Sequence, residues 1–203
     1  MTSTAPANRA ARLRLRARLD LTAHAAELLR SKEEALRREH TRLRAHADRT
    51  EIDWQQRLAE AETWLLRARA LGASSELANL HNGRHPATID IAWQTSMGVT
   101  YPGAVDTTAA PPPELTTTAA LVPAGAAYRA ALEVAAQHAA ASAALRRVAT
   151  ELADARRRRR ALEHRLLPRL RSQLHRLDLT LDERDRDTAL RTQLATRHRE
   201  VAG

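Results

Sequence analysis

Two stretches of the chain gather their apolar residues on one helical stripe and surround it with charge. In the first, Leu15, Leu19, Ala26, Leu29, Leu36, Leu43, Ala47, Trp54, Leu58, Ala61, Leu65 and Ala68 fall mainly at steps of three, four or seven. Residues so spaced stack along a single face, the seam of a coiled coil. Leu145, Val148, Leu152, Ala155, Leu162, Leu166, Leu170, Leu174, Leu177 and Leu181 repeat the pattern in the second stretch. The opening of the first is locally ambiguous, because Leu13, Leu15, Ala17, Leu19 and Leu21 alternate with polar residues as in a strand. Length decides for helix, since the following residues as far as Ala68 keep helical spacing.

Breakers divide the chain the same way. Neither Gly nor Pro occurs between Ala7 and Leu71, and between Ala126 and Ala202 the sole breaker is Pro168. The expected fold is mainly α: a long antiparallel two-helix coiled coil of an N-terminal arm, residues 9–71, and a C-terminal arm, residues 126–199. Arms of that size run roughly 90 and 110 Å at about 1.5 Å per residue. Neither stripe has a second apolar face, so each arm must bury its seam against the other. Glu33–Arg37, Glu34–Arg38, Asp53–Arg57, Asp154–Arg158 and Asp182–Arg186 are acid-first i,i+4 pairs on the outer faces. Gly72 supplies a C-terminal stop. The alanine-rich span from Ala126 to Ala149 lets a neighbouring backbone approach closely, and Pro168 is expected to kink its helix near Leu167.

The connecting region, residues 72–125, is loop-rich and holds the β signal. Ile89, Ile91 and Trp93 alternate with Asp90, Ala92 and Gln94, and Met97-Gly98-Val99-Thr100-Tyr101-Pro102 follows, so a short β-hairpin-like element is expected near Thr88–Tyr101. Pro111-Pro112-Pro113 and the Thr/Ala run after it read as an extended, mobile loop.

Composition sharpens this picture. An aromatic content of 2% without a single Phe is poor for a globular core and sufficient for a thin helical seam. With no Cys there are no disulfides, no thiolate catalysis and no Cys-based zinc site, as a reducing compartment would favour. The Met-Thr-Ser-Thr-Ala-Pro opening lacks the layout of a secretory signal, and no stretch approaches the roughly 20 apolar residues of a membrane span. A soluble, intracellular protein is the expectation. The net charge of +9 is an arginine effect, for Lys32 is the only lysine, and codon bias accounts for part of it. Residues 1–86 carry +5, residues 87–125 carry −3 and residues 126–203 carry +7.

Candidate chemistry is sparse. There is no Gly-rich phosphate cradle and no Lys followed by Ser or Thr. His81 and His85 lie in one turn but without a nearby Cys or carboxylate to complete a metal site. No Ser/His/Asp-like set marks a catalytic centre, and no cofactor is called for. Arg156 to Arg160 is the densest basic run. Five consecutive helical residues spread around the circumference, so at least one Arg must approach the seam while the others form a solvated or partner-facing collar.

Taken together, the arms resemble the D subunit family of V/A-type ATP synthases. Arg9, Leu13, Leu15, Arg18, Leu19 and Leu21, then Leu28-Leu29, Lys32 and Leu36, match the family's opening pattern without gaps. Met97-Gly98-Val99 with Pro102 is similar to its central stretch. Arg156-Arg157-Arg158, Ala161-Leu162-Glu163, Leu166-Leu167-Pro168-Arg169-Leu170 and Leu181-Asp182-Glu183-Arg184 match its closing series. Departures fall at Ala7, where the family usually has Pro, at Ala25 for Gly, at Glu33 for a basic residue, and at Arg159-Arg160 for Val-Asn.

The resemblance implies a non-catalytic central-stalk rotor shaft whose arms form a left-handed antiparallel coiled coil. Its terminal end would enter the bore of a hexamer of catalytic A and regulatory B subunits. The connecting region would lie toward the membrane, bind the small F subunit and seat in a funnel-shaped subunit above the membrane ring. ATP would bind between hexamer subunits and not on this chain, which would work at the cytoplasmic side of the membrane without spanning it. Seam positions on this reading are Leu15, Leu29, Leu36, Leu43, Leu145, Leu152, Leu162, Leu166 and Leu177. The family-motif positions are Arg9, Lys32, Gly98, Pro102, Arg157, Arg158, Leu162, Glu163, Pro168, Asp182 and Glu183. The rival is a basic coiled-coil protein that binds nucleic acid or another anionic partner; the 24 interspersed acidic residues weigh against it.

Overall fold

The computed structural model describes residues 8–80, 86–109 and 118–201. The protein is mainly helical: α1 (Arg9–Ala70), α2 (Ser74–Leu80), a hairpin of β1 (Thr88–Ser96) and β2 (Val99–Thr108), α3 (Leu121–Ala161), one π-helical turn (Leu162–Leu166) and α4 (Leu167–Val201). His81, His85 and the Pro111-Pro112-Pro113 loop lie outside the described residues.

Helix α1 is built from strong helix formers and has defined ends. Asn8 caps its start, its Oδ1 accepting the Ala11 N–H at 2.7 Å. At the other end Gly72 takes φ +89°, its N–H bonds the Arg69 carbonyl at 3.0 Å, and the Ala73 N–H bonds the Ala68 carbonyl at 3.1 Å. That pair of bonds is a Schellman cap, which needs a left-handed residue where Gly72 stands. The accompanying apolar contact is present too: Ala68 and Ala73 cluster with Ala120, Leu121 and Leu77.

The second long helix begins at Leu121, five residues before the expected Ala126. Pro123 falls in its first turn, where the missing N–H has no intrahelical partner to lose. At Pro168 the expected disturbance takes a specific form. The ring removes the N–H that would bond the His164 carbonyl and crowds that carbonyl. The preceding turn widens into the π turn, with the Leu167 N–H bonding the Leu162 carbonyl, five residues back.

The hairpin is antiparallel, with Ser96 paired to Val99 and Thr88 to Thr108. Met97 and Gly98 form its two-residue turn at φ +50° and +77°. Positive φ at both central residues is what a type I′ turn requires, and here a Met rather than Asn or Asp occupies the first. Between the Ile91↔Val105 and Trp93↔Pro102 pairs, Gly103 and Ala104 oppose the single Ala92, a bulge that accommodates Pro102 within the strand. The β element thus runs beyond the expected Tyr101, to Thr108.

The chain divides into two compact units, residues 1–33 with 154–203, and residues 34–153. In the first, α1 and the C-terminal helix pack antiparallel, as the pairs Arg9–Asp185, Arg12–Asp178 and Arg30–Glu163 run in opposite directions. Its buried residues include Ala26, Ala155, Leu167 and Leu170. In the second, Leu36, Leu43, Ala47 and Ala61 of α1 are buried, as are Ala140, Ala141, Ala144, Val148 and Leu152 of α3. Alanine dominates this core, which suits a thin layer between helices.

Candidate functional site

Burial grades the expected seam. Leu36, Leu43 and Leu152 are buried, whereas Leu15, Leu29, Leu145, Leu162, Leu166 and Leu177 are half-buried. Of the motif residues, Pro102 is buried, and Lys32, Leu162 and Glu163 are half-buried. Arg9, Gly98, Arg157, Arg158, Pro168, Asp182 and Glu183 are exposed. Arg9 pairs with Asp185 at 3.5 Å and Arg157 with Asp154. The outer-face pair Glu34–Arg38 is present at 3.7 Å, while Arg57 reaches Glu60 at 3.6 Å.

Glu33, expected on an outer face, is instead 5% exposed. Its two carboxylate oxygens accept hydrogen bonds from Arg156 Nε at 3.0 Å and Arg159 Nε at 2.8 Å. Arg159 also bonds Glu163, and Glu163 accepts from Arg30 Nη2 at 2.8 Å. The circuit leaves α1 at Glu33 and returns to it at Arg30. Arg156 and Arg159 of the arginine run therefore turn to the seam, while Arg157, Arg158 and Arg160 stay outside this circuit. Glu33 thus meets Arg159, 126 positions further along the chain.

In the other unit the hairpin is held at its turn-proximal part. Tyr101 is buried and its hydroxyl donates to Glu39 Oε1 at 2.6 Å, the carboxylate also accepting from Arg42 Nε at 3.0 Å and Nη2 at 2.6 Å. From α3, Arg147 donates to the Thr100 carbonyl at 2.9 Å and sits 5.2 Å over the Trp93 ring. Ile89, Ile91, Trp93 and Met97 remain exposed. Deeper along the same helices, Trp54 stacks on His138 at 5.6 Å, with Thr50 and Ser142 hydroxyls at the two ring nitrogens. Apolar periodicity places Trp54 on the α1 stripe and Trp93 on the strand, but it gives no sign of their partners His138 and Arg147 or of the Tyr101–Glu39 bond.

Charge favours the ionised carboxylates. Hydrogen bonding from Arg159, against burial and with Arg156 assisting, holds the Glu33 carboxyl below its usual value of 4.5. Arg42 does the same for Glu39, with Tyr101 assisting, and Arg30 for Glu163. Burial and then Glu39 push the Tyr101 phenol upward. Each of these carboxylates binds its proton less readily folded than unfolded. Their stabilisation is complete above about pH 4.5 and is lost as pH falls through the lower folded values. Thermal melts should show a falling midpoint below that pH, and Glu33→Gln with Glu39→Gln should flatten the dependence. An unchanged acid limb in the double variant would mean that other groups set it.

Among the described residues no three His, Cys, Asp or Glu gather as a metal site. Two crevices lie within residues 34–153, one of about 180 Å³ lined by Arg42, His46, Gln94 and Tyr101 with apolar residues, and one of about 300 Å³ lined by Asp53, Gln56, Arg57, Glu60 and Val134. No helix among the described residues is long and apolar enough to cross a membrane.

Residues 11–197, which take in both long helices and the hairpin, match the family model for the D subunit of ATP synthase. The chain belongs to the ATP synthase D-subunit family. No curated protein matches it significantly in sequence. Family membership makes it a component of a V/A-type ATP synthase, with the mainly helical fold and paired terminal helices described above. In this D-subunit chain the matched span takes in the hairpin turn, the buried Pro102, the arginine clasp and the π turn.

Proposed function

We propose that the chain is the non-catalytic central-stalk rotor subunit of its ATP synthase, coupling ATP turnover in the hexamer of A and B subunits to ion transport across the membrane. The family match over residues 11–197 carries this reading. Two features of the molecule support it. Within each compact unit a stretch of α1 packs against the returning helix along an apolar seam, which stiffens it, and the outer faces carry dispersed charge. Exposed ion pairs are individually worth about 0–1 kcal/mol, so such faces touch many surfaces without locking onto one. The compact unit of residues 1–33 and 154–203 has 21 basic and 11 acidic residues, whereas residues 34–153 have 12 and 13. Net charge is thus +10 on the terminal unit and −1 on the hairpin-bearing one, which fits two different sets of partners. On this reading the terminal helices face the A and B subunits, and the hairpin region faces the small F subunit and the funnel-shaped subunit above the membrane ring. The chain works on the cytoplasmic side and binds no nucleotide itself. ATP-driven ion transport in complexes assembled with and without the chain tests the proposal. Coupled transport in its absence would refute it.

The basic terminal unit also keeps the rival of nucleic-acid binding testable. Because Arg156 and Arg159 are engaged with Glu33, the informative variant replaces only Arg157, Arg158 and Arg160 with Gln. The expected result is weak, steeply salt-dependent duplex binding before and after. Nanomolar binding at about 150 mM salt, lost in the variant, would favour the rival.

A further inference from the structure

From the circuit of Arg30, Glu33, Arg156, Arg159 and Glu163 we infer that Glu33 is the register-setting contact of the terminal helix pair. It specifies which turn of the C-terminal helix lies opposite which turn of α1. Glu33 is the one charged side chain that is buried among the described residues. The other buried polar side chains there, Thr22 and Thr50, bond carbonyls of their own helix. The apolar part of the unit cannot set register sharply. Its buried positions are Ala26, Ala155, Leu167 and Leu170, and a slip re-presents alanine or leucine to alanine or leucine.

The charged positions discriminate in both directions. In the observed register Glu33 meets Arg156 and Arg159, and Arg30 meets Glu163. A slip of one turn, about 5.4 Å, in one direction carries Glu33 toward Glu163. The opposite slip carries Arg30 toward Arg159. Each brings like charges together and leaves the covered Glu33 carboxylate with one of its two arginine donors in place of both. Glu163 of the circuit is the second residue of the π turn. A single buried polar position fixing the register of an otherwise permissive seam is a known use of such groups.

The chain has no cysteine, so spin labels can be placed through Cys introduced in the full-length protein at the exposed positions Ala17 and Ala189, which are offset along the axis of the pair so that a slip changes their separation almost one for one. Electron–electron distance measurement should give one narrow distribution. With Glu33→Leu, a second population displaced by about 5 Å is expected, at helix content close to that of the parent. A single unchanged distance would overturn the inference. A second variant inverts the circuit by Glu33→Arg, Arg156→Glu, Arg159→Glu, Glu163→Arg and Arg30→Glu. It should restore the single distance if opposite charge sets register, and a broad distribution there would overturn the inference even if Glu33→Leu fails to fold. The test is independent of the rotor reading.

Discussion

Leu36→Asp is expected to abolish the cooperative melt of this protein near its parent temperature, while Leu28→Asp on the same helix leaves it almost unchanged. The two leucines differ in burial: Leu36 is 0% exposed and Leu28 is 58% exposed. Losing a buried leucine side chain costs about 2–5 kcal/mol. An unpaired carboxylate in its place adds several more, or raises its own pKa and adds that cost instead. Natural domains hold only about 5–15 kcal/mol in total, so one substitution consumes most of the margin. For a chain of this size each kcal/mol moves the midpoint by about 2–4 °C, and a fall of more than about 10 °C is the expected reading. Circular dichroism melts of the two variants decide it. A Leu36→Asp protein that melts like Leu28→Asp would show that the α1 seam contributes little.

The contrast shows how far the sequence could be read. Spacing identified the stripe to which Leu36 belongs, and the lack of Gly and Pro marked the extent of α1, because both follow from local rules. Gly72 was readable as a stop for the same reason. Where local rules compete, less was legible. Pro123 and Gly125 looked like breakers before the second arm, yet a first-turn proline costs a helix nothing. The β element was expected only as far as Tyr101, and the bulge opposite Ala92 accompanies the strand's continuation past Pro102, which cannot donate to the ladder. The Met97-Gly98 turn lacks the usual Asn or Asp, so the hairpin had a weak signature. Glu33 could be paired locally with Arg37 on paper, and nothing in periodicity shows that residues 123 and 126 positions away supply its donors. The hold of Glu39 on Tyr101 is equally long-range. Helix existence is written locally; the charged and aromatic contacts that place one element on another are not.

On the rotor reading, Leu29→Pro should separate ATP turnover from ion transport in the assembled enzyme. Leu29 is half-buried inside α1, well away from either end. Proline there removes the N–H that bonds the Ala25 carbonyl and crowds that carbonyl, at about 3 kcal/mol or more. The break falls between Ala26 and Glu33, beside the charged clasp that joins α1 to the C-terminal helix. Torque carried by the pair would then be spent in bending a hinge. Nucleotide sites on other subunits are chemically untouched, so hydrolysis should persist while ATP-driven ion transport falls to background. Leu29→Ala separates helix continuity from side-chain packing, since it trims the seam contact but keeps the backbone bond; transport with it should stay close to the parent. If Leu29→Pro complexes assemble with the chain in place and still pump with parental coupling, an unbroken α1 is not what transmits the torque. If instead the chain is missing from those complexes, the proline has acted on assembly, which subunit composition reads directly, and the milder Leu29→Gly, at about 1 kcal/mol, becomes the variant that measures coupling.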